Sequence, residues 1–377
     1  MDFSYSDEQA MLRDSVARYL RDNFSFEQRK ALLADPGRAV PRVWRELADL
    51  GLTGVLVPED YGGFGGSMGD LHGVLREAGA SLLIAPLISS MVMSTVALVE
   101  SGASSLQKDY LPLMASGDLM VCWAGERAGG VPATRATFDG KHWRVSGGVR
   151  NVACGALAGG YIVAAQFVSP GSGPAEGIFL VDRKNQVPDA VKAAPYCLVD
   201  ASPAATVSFL DAIALPLFDG DTSHGYAQVM ARVRSAGTAA ACADGLGTVE
   251  AAVRLTAEYV RNRRQFGKPL ADNQAVRHKI AEMLVGLESI KSMSLLAAIA
   301  YDDPGSAMAG DIARAKLILS VHGRKSLEDA IQLHGGIGMT EEYSVGHYLQ
   351  RFVVFDSILG DADEQAEYLA KQHGDAR

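Results

Sequence analysis

A chain of 377 residues, 48% hydrophobic and 21% charged, has room for two or three domains with sizeable cores and the composition of a globular protein. Its net charge of −9 argues against nucleic-acid binding, which needs a basic face. The four cysteines, Cys122, Cys154, Cys197 and Cys242, lie far apart and form no Cys-x-x-Cys pair, so neither a metal site nor a disulfide framework is expected, and a reducing compartment is.

The N-terminus is acidic and amphipathic, unlike a signal peptide, so a cytoplasmic location is expected. Ser6-x-x-Gln9 reads as a capping box, followed by Leu12, Val16, Tyr19 and Leu20 at helical spacing. Pro41 is expected to open a second helix through Val43, Trp44, Leu47 and Leu50, closed by Gly51. A glycine-rich connection, Glu59 to Gly66, precedes three further helical segments, Asp70 to Leu82, Leu87 to Glu100 and Leu106 to Ala115. The low-charge run Leu82 to Val99 is barely long enough to span a bilayer and contains Pro86, so it reads as a buried helix and no membrane span is expected. Residues 1–118 are thus an N-terminal helical domain.

From Leu119 the pattern changes to short alternating runs: Trp143 to Ser146, Tyr161 to Gln166, Ile178 to Val181 and Thr206 to Leu210. Turn chemistry separates them, at Asp139-Gly140, Ser169 to Pro174 and Ala201 to Pro203. Residues 119–222 are therefore expected to form an antiparallel β-barrel or sandwich. Helical periodicity returns at Tyr226 in four segments, Tyr226–Val260, Asn273–Tyr301, Ser306–His334 and Tyr343 onward, which makes residues 223–377 a C-terminal four-helix bundle. The fold class is α+β, mainly α.

The most informative stretch is Tyr259 to Leu270, with four basic residues in an acidic chain. They fall where a helix is expected to end, with Phe266-Gly267 as its stop and Pro269 beyond. Two readings are open: a solvated basic helix end favoured by the macrodipole, or an anion site in which arginine forks onto phosphate. His334 and His347 have no Glu or Cys partner at metal spacing and read as satisfied structural histidines.

The run Arg263-Arg264-Gln265-Phe266-Gly267-Lys268-Pro269 resembles the Arg-x-x-Phe-Gly signature of the acyl-CoA dehydrogenases. Gln332 to Gly338 and Pro58 to Gly63 are similar to two further elements of that family, in the same order. The resemblance implies FAD as cofactor and an acyl-CoA thioester as substrate. It implies that Arg263, Gln265, Phe266, Asn273 and Gln274, with Gln332, Gly335 and Gly336, hold the diphosphate and adenine end of a neighbouring subunit's flavin. Desaturation of a thioester also needs a carboxylate that removes the α-proton.

The chain departs from the family at the flavin ring and at the base. Ala124 to Pro132 lacks the family's Thr and Ser, and Val149 to Cys154 places Asn151 and Ala153 where the family has Trp and Thr. The usual base position falls on Leu359, the second family position on Gly237, and the adjoining CoA-steadying arginine on Thr238. Asp244, seven residues past Gly237 in an apolar stretch, is the acidic candidate for a base; otherwise it bonds a neighbouring helix or solvent. Asp361 is the second candidate, or the N-cap of the final helix.

Lending groups kept and own-site groups lost is the pattern of one half of a heteromeric enzyme. The C-terminal run His334 to Tyr348 and Gly360 to Asp363 is similar to the small subunits of pimeloyl-CoA dehydrogenase-type heteromeric members of the family. The expected partner is a homologous subunit, with an electron-transfer flavoprotein as acceptor. A homomeric dehydrogenase using Asp244, and a purely structural or binding subunit, remain open beside it.

Overall fold

Ser6 starts the first helix as the sequence requires. Its hydroxyl accepts from the Gln9 N–H at 3.2 Å and the Gln9 amide oxygen accepts from the Ser6 N–H at 3.0 Å. The computed structural model describes residues 6–125, 134–168, 174–217, 225–265, 267–303, 305 and 308–374. In chain order the helices are α1 (Asp7–Asn23), α2 (Phe26–Leu33), α3 (Pro36–Asp49), α4 (Met68–Ala80), α5 (Thr95–Glu100) and α6 (Ser104–Ala115). After the strands come α7 (Tyr226–Asn262), α8 (Gln274–Asp302), α9 (Met308–Ile318), α10 (Arg324–His334), α11 (Ser344–Ile358) and α12 (Ala362–Gly374). The strands are β1 (Val121–Ala124), β2 (Thr134–Phe138), β3 (Trp143–Ala153), β4 (Gly160–Val168), β5 (Pro174–Asp182), β6 (Val191–Cys197) and β7 (Pro203–Pro216), with β8 (Arg264–Gln265) and β9 (Lys268–Pro269) as a small hairpin.

Three segments are built differently from expectation. Helix α3 begins at Pro36, with Asp35 capping the Arg38 N–H, so Pro41 lies inside it and Pro36 takes the first-turn place where a missing N–H is harmless. Gly51 does close the segment, at φ 81°. The segment expected from Ser306 to His334 is continuous from Met308, with a π-helical stretch, Leu319–Gly323, joining α9 to α10. The segment from Tyr343 onward is two helices, α11 and α12, because Gly360 turns the backbone to φ 90°.

The chain forms two compact units that interleave along the sequence. One comprises residues 32–67 and 84–237 and contains the sheet. Strands β4, β2, β3, β7 and β5 pair in turn, and β5 pairs again with β4, so the ring closes as a barrel with no free edge among these five. Strand β1 shares an edge of β4 and β6 adds to β7. The pairings are antiparallel except β1–β4 and β2–β4, which run parallel. On these strands Val145, Tyr161, Ile162, Val163, Phe179 and Phe209 are all buried. The low-charge run is buried as expected, as a π-helical stretch, Leu87–Ser94, that continues into α5.

The other unit comprises residues 1–31, 68–83 and 238–377. Helices α4 and α7 approach closely here, and glycines make that possible. A Cβ on Gly79 would lie 1.9 Å from the Asp244 carbonyl oxygen, and one on Gly247 would lie 1.8 Å from that of Arg76. Asp302 at the end of α8 accepts from the Met68 and Gly69 N–H groups, both at 2.7 Å, and so caps α4 from afar. Helix α8 is long and apolar enough to cross a membrane, but it works here as a core helix that buries Met283, Leu287 and Ile290.

Candidate functional site

Helix α7 ends at Asn262, two residues past the expected Val260 and short of the Phe266-Gly267 stop, and a tight hairpin takes over from Arg264. The Arg263 N–H still donates to the Tyr259 carbonyl at 2.8 Å, and the Leu270 N–H closes back onto the Arg263 carbonyl at 2.9 Å. Gln265 pairs with Lys268, with Gly267 at φ 81° in the turn. Phe266 lies outside the described residues. Arg263, Arg264, Gln265 and Lys268 are exposed, and among the described residues no carboxylate pairs with these three cations. Chain direction then brings Asn273 to the start of α8. Its side-chain amide donates to the Leu270 carbonyl at 3.2 Å instead of capping the helix. The first-turn N–H groups of α8, beside exposed Gln274, are left without a side-chain cap, an arrangement that suits an anion.

The second strip follows α10. Gln332 is exposed, and Gly335 turns the backbone to φ 65°. A Cβ built on Gly335, Gly336 or Gly267 would meet no atom within 4 Å. These three backbone positions therefore face open space, and a ligand can come as close as the backbone itself allows. The two strips adjoin, because the rings of Tyr259 on α7 and His334 on α10 are in contact. Exposed unpaired cations, uncapped N–H groups and open glycines fit the diphosphate of a dinucleotide.

The expectation of fully satisfied histidines is half met. His334 Nδ1 bonds the Ala330 carbonyl at 2.8 Å and His347 Nε2 that of Glu341 at 3.3 Å, yet His334 Nε2 and His347 Nδ1 are buried without partners among the described residues. No group of described residues could hold a metal ion.

The flavin-ring positions offer little. Ala124 to Pro132 lies mostly outside the described residues. Asn151, at φ 60° where the pairing of β3 with β7 shifts register, donates its N–H to the Tyr196 hydroxyl, which donates in turn to Asn151 Oδ1, both at 2.7 Å. Its carboxamide oxygen is thus already engaged.

At the base positions, Leu359 is 5% exposed and its carbonyl accepts from the Gln365 amide at 3.0 Å. Gly237 and Thr238 are buried in α7. Asp361 caps α12: its Oδ1 accepts from the Glu364 N–H at 3.0 Å, and Glu364 reaches back to the Asp361 N–H at 3.3 Å. Asp244 is buried and held by Arg351, whose Nε and Nη2 donate to its two carboxylate oxygens. The Thr248 hydroxyl lies 3.5 Å from Oδ1. Arg351 was not singled out by sequence reasoning, although a lone cation in the apolar run from Val345 to Leu359 signals a buried counter-charge.

Residues 6–118 match the family model described as acyl-CoA dehydrogenase, N-terminal domain, and residues 223–373 match that of the C-terminal domain. The probable acyl-CoA dehydrogenase YngJ of Bacillus subtilis is 25% identical, over 99% of each chain. Acyl-CoA dehydrogenase FadE12 of Mycobacterium tuberculosis is 28% identical, over 91% of this chain and 90% of its own. Among solved structures, the Tcur3481-Tcur3483 steroid ACAD superposes with a TM-score of 0.86 at 26% identity, covering 98% of this chain and 99% of the other. Butyryl-CoA dehydrogenase from Megasphaera elsdenii gives 0.85 at 20% identity, over 99% of each. The Arg263 and Gln332 to Gly338 motifs therefore stand in a chain matched at both ends by one family and superposable along nearly all its length: it belongs to the acyl-CoA dehydrogenases, FAD-dependent oxidoreductases of acyl-CoA thioesters.

Proposed function

We propose that this chain is the subunit without the usual catalytic glutamate in a heteromeric acyl-CoA dehydrogenase, and that its clamp serves the FAD of the subunit that carries the base. The observation that carries the reading is Leu359, a buried aliphatic side chain at the position where the family places a carboxylate. Neither Leu359 nor Gly237 can take a proton. Asp361 is engaged at a helix start, and both oxygens of Asp244 already accept from Arg351. A base that must receive the substrate's α-proton needs an oxygen within hydrogen-bond reach of it, so the partner's carboxylate does that work.

FAD, when bound, supplies the acceptor for the β-hydride. On this chain, Arg263 and the hairpin from Arg264 to Pro269 offer positive charge to the diphosphate. Asn273 and Gln274 flank the open N-terminus of α8. Gly335 and Gly336 admit close backbone approach, with Gln332 beside them as a donor. That the Tcur3481-Tcur3483 steroid ACAD is named for two proteins supports a heteromeric assembly. An electron-transfer flavoprotein is the acceptor this reading implies, and the cytoplasm its compartment.

The visible spectrum of the purified chain tests it. Alone, the chain should carry no stoichiometric flavin. Co-expressed with a homologous subunit that has the glutamate, the complex should carry about one FAD per pair and oxidise acyl-CoA, and Arg263→Ala should strip that flavin. A yellow chain that acyl-CoA bleaches anaerobically without a partner would overturn the proposal in favour of a homomeric enzyme.

A further inference from the structure

The two cofactor strips leave different helices, and one ring contact joins them. Tyr259 stands one turn before Arg263 on α7, and its carbonyl receives the Arg263 N–H at 2.8 Å. His334 stands immediately before Gly335, where the backbone turns to positive φ. The two rings are stacked, with centroids 4.3 Å apart and 27° between planes. The Tyr259 hydroxyl also donates to the His334 carbonyl oxygen at 3.3 Å. Tyr343 closes the group, edge-on to Tyr259 at 6.3 Å and tilted against His334 at 5.1 Å.

The imidazole is fixed in plane as well as in position. His334 is 4% exposed, and its Nδ1 faces the Ala330 carbonyl oxygen, which only accepts. Nδ1 therefore carries the ring proton, and Nε2 is a bare acceptor with no partner among the described residues. Burial lowers the pKa of the ring, against the opposing effect of the bond to Ala330. A phenylalanine here would fill the same space and leave no orphaned nitrogen. What the imidazole adds is the bond to Ala330, which ties the ring to the last turn of α10 and presents its face to Tyr259. An unmade buried hydrogen bond is tolerated where the orientation it accompanies matters.

We infer that Tyr259 and His334 are a positioning pair: their stack sets the spacing between the Arg263 strip and the Gly335–Gly336 strip, so that one diphosphate meets both. The inference rests on the reading of those strips as the cofactor clamp and adds the element that holds them in register. Neither ring need touch the cofactor. If the pair only fills space beneath two helix ends, it will matter for stability and not for the action of Arg263.

A double-mutant cycle on the co-expressed complex separates these. The FAD dissociation constant is measured by reconstituting apoprotein and following flavin fluorescence, with thermal midpoints in parallel, for the wild type, Tyr259→Leu, Arg263→Ala and the double variant. Positioning predicts that Tyr259→Leu weakens FAD by about tenfold when Arg263 is present and by less than about twofold when it is absent. Tyr259→Phe, which keeps the ring, should restore affinity to within about threefold of wild type. Equal factors in both backgrounds, or a Phe variant as weak as the Leu variant, overturn the pair. Should Tyr259→Leu fail to fold, His334→Asn runs the same cycle from the other side, because its amide can still donate to Ala330 while the stack is lost. An unchanged dissociation constant for Arg263→Ala alone sinks the clamp and the pair with it; an intact Arg263 effect with additive factors sinks the pair alone.

Discussion

Arg351 grips Asp244 with both prongs of its guanidinium, Nε to Oδ1 at 3.0 Å and Nη2 to Oδ2 at 2.6 Å, and its remaining nitrogen donates to the Leu83 carbonyl at 3.0 Å. Asp244 is 1% exposed and Arg351 6%. Removing one member of a buried pair strands the other charge, so Asp244→Asn should destabilise the chain by about 3–5 kcal/mol in urea unfolding. Turnover per folded protein should stay within about twofold of wild type, since both carboxylate oxygens are committed to Arg351. A variant that unfolds normally but has lost turnover by orders of magnitude would make Asp244 the base after all.

The crossing of α4 and α7 gives a second expectation. In an ordinary helix Gly→Ala stabilises by about 1 kcal/mol. At Gly247 the new methyl would fall 1.8 Å from the Arg76 carbonyl oxygen, which is backbone and cannot swing away. Gly247→Ala should therefore destabilise by about 2 kcal/mol or more, and thermal unfolding of the variant against wild type gives the sign directly.

His72 makes stability depend on pH. Burial, with the Arg76 charge as the lesser cause, lowers its pKa from the ordinary 6.5 to about 4, while its Nε2 sits 3.0 Å from the Ser294 hydroxyl. Between those values the unfolded chain binds a proton that the folded chain refuses. The stabilisation is complete above pH 6.5 and declines as the pH falls toward 4, by about 1.4 kcal/mol per pH unit for this group. His72→Gln should flatten the curve of unfolding free energy over that window by this amount. Parallel curves for variant and wild type would show that the imidazole is not what titrates.

Asp361 supplies a contrast to Asp244. It is exposed and bonded only within the first turn of α12. Asp361→Ala should remove a helix cap, about 1 kcal/mol by chemical denaturation, and leave the kcat of the enzyme unchanged. A fall in kcat at unchanged stability would instead assign Asp361 a place in the chemistry.

What the sequence determined by itself was local or repeated. Capping at Ser6, the helical periods, the alternating runs from Trp143 to Leu210 and the glycine turn at Gly51 depend on neighbours a few residues apart, and each stands in the structure near its expected place. The Arg263 and Gly335 motifs were legible for the same reason, as contiguous strings, although a hairpin follows Asn262 where the string suggested only a helix stop at Phe266-Gly267. Only the tertiary structure decided which distant groups meet. Asp244 reads as a desolvated acid until Arg351, 107 residues on, is placed against it. The Arg263 and Gly335 strips read as separate motifs until Tyr259 is laid on His334, 75 residues away. The closing of the β-ring through one parallel pairing, and the interleaving of the two units, are likewise set by packing across the chain. The physical reason is common to all of these: periodicity fixes which face of an element is apolar, whereas the partner of a buried charge or ring is fixed by distance in space, which sequence separation does not encode.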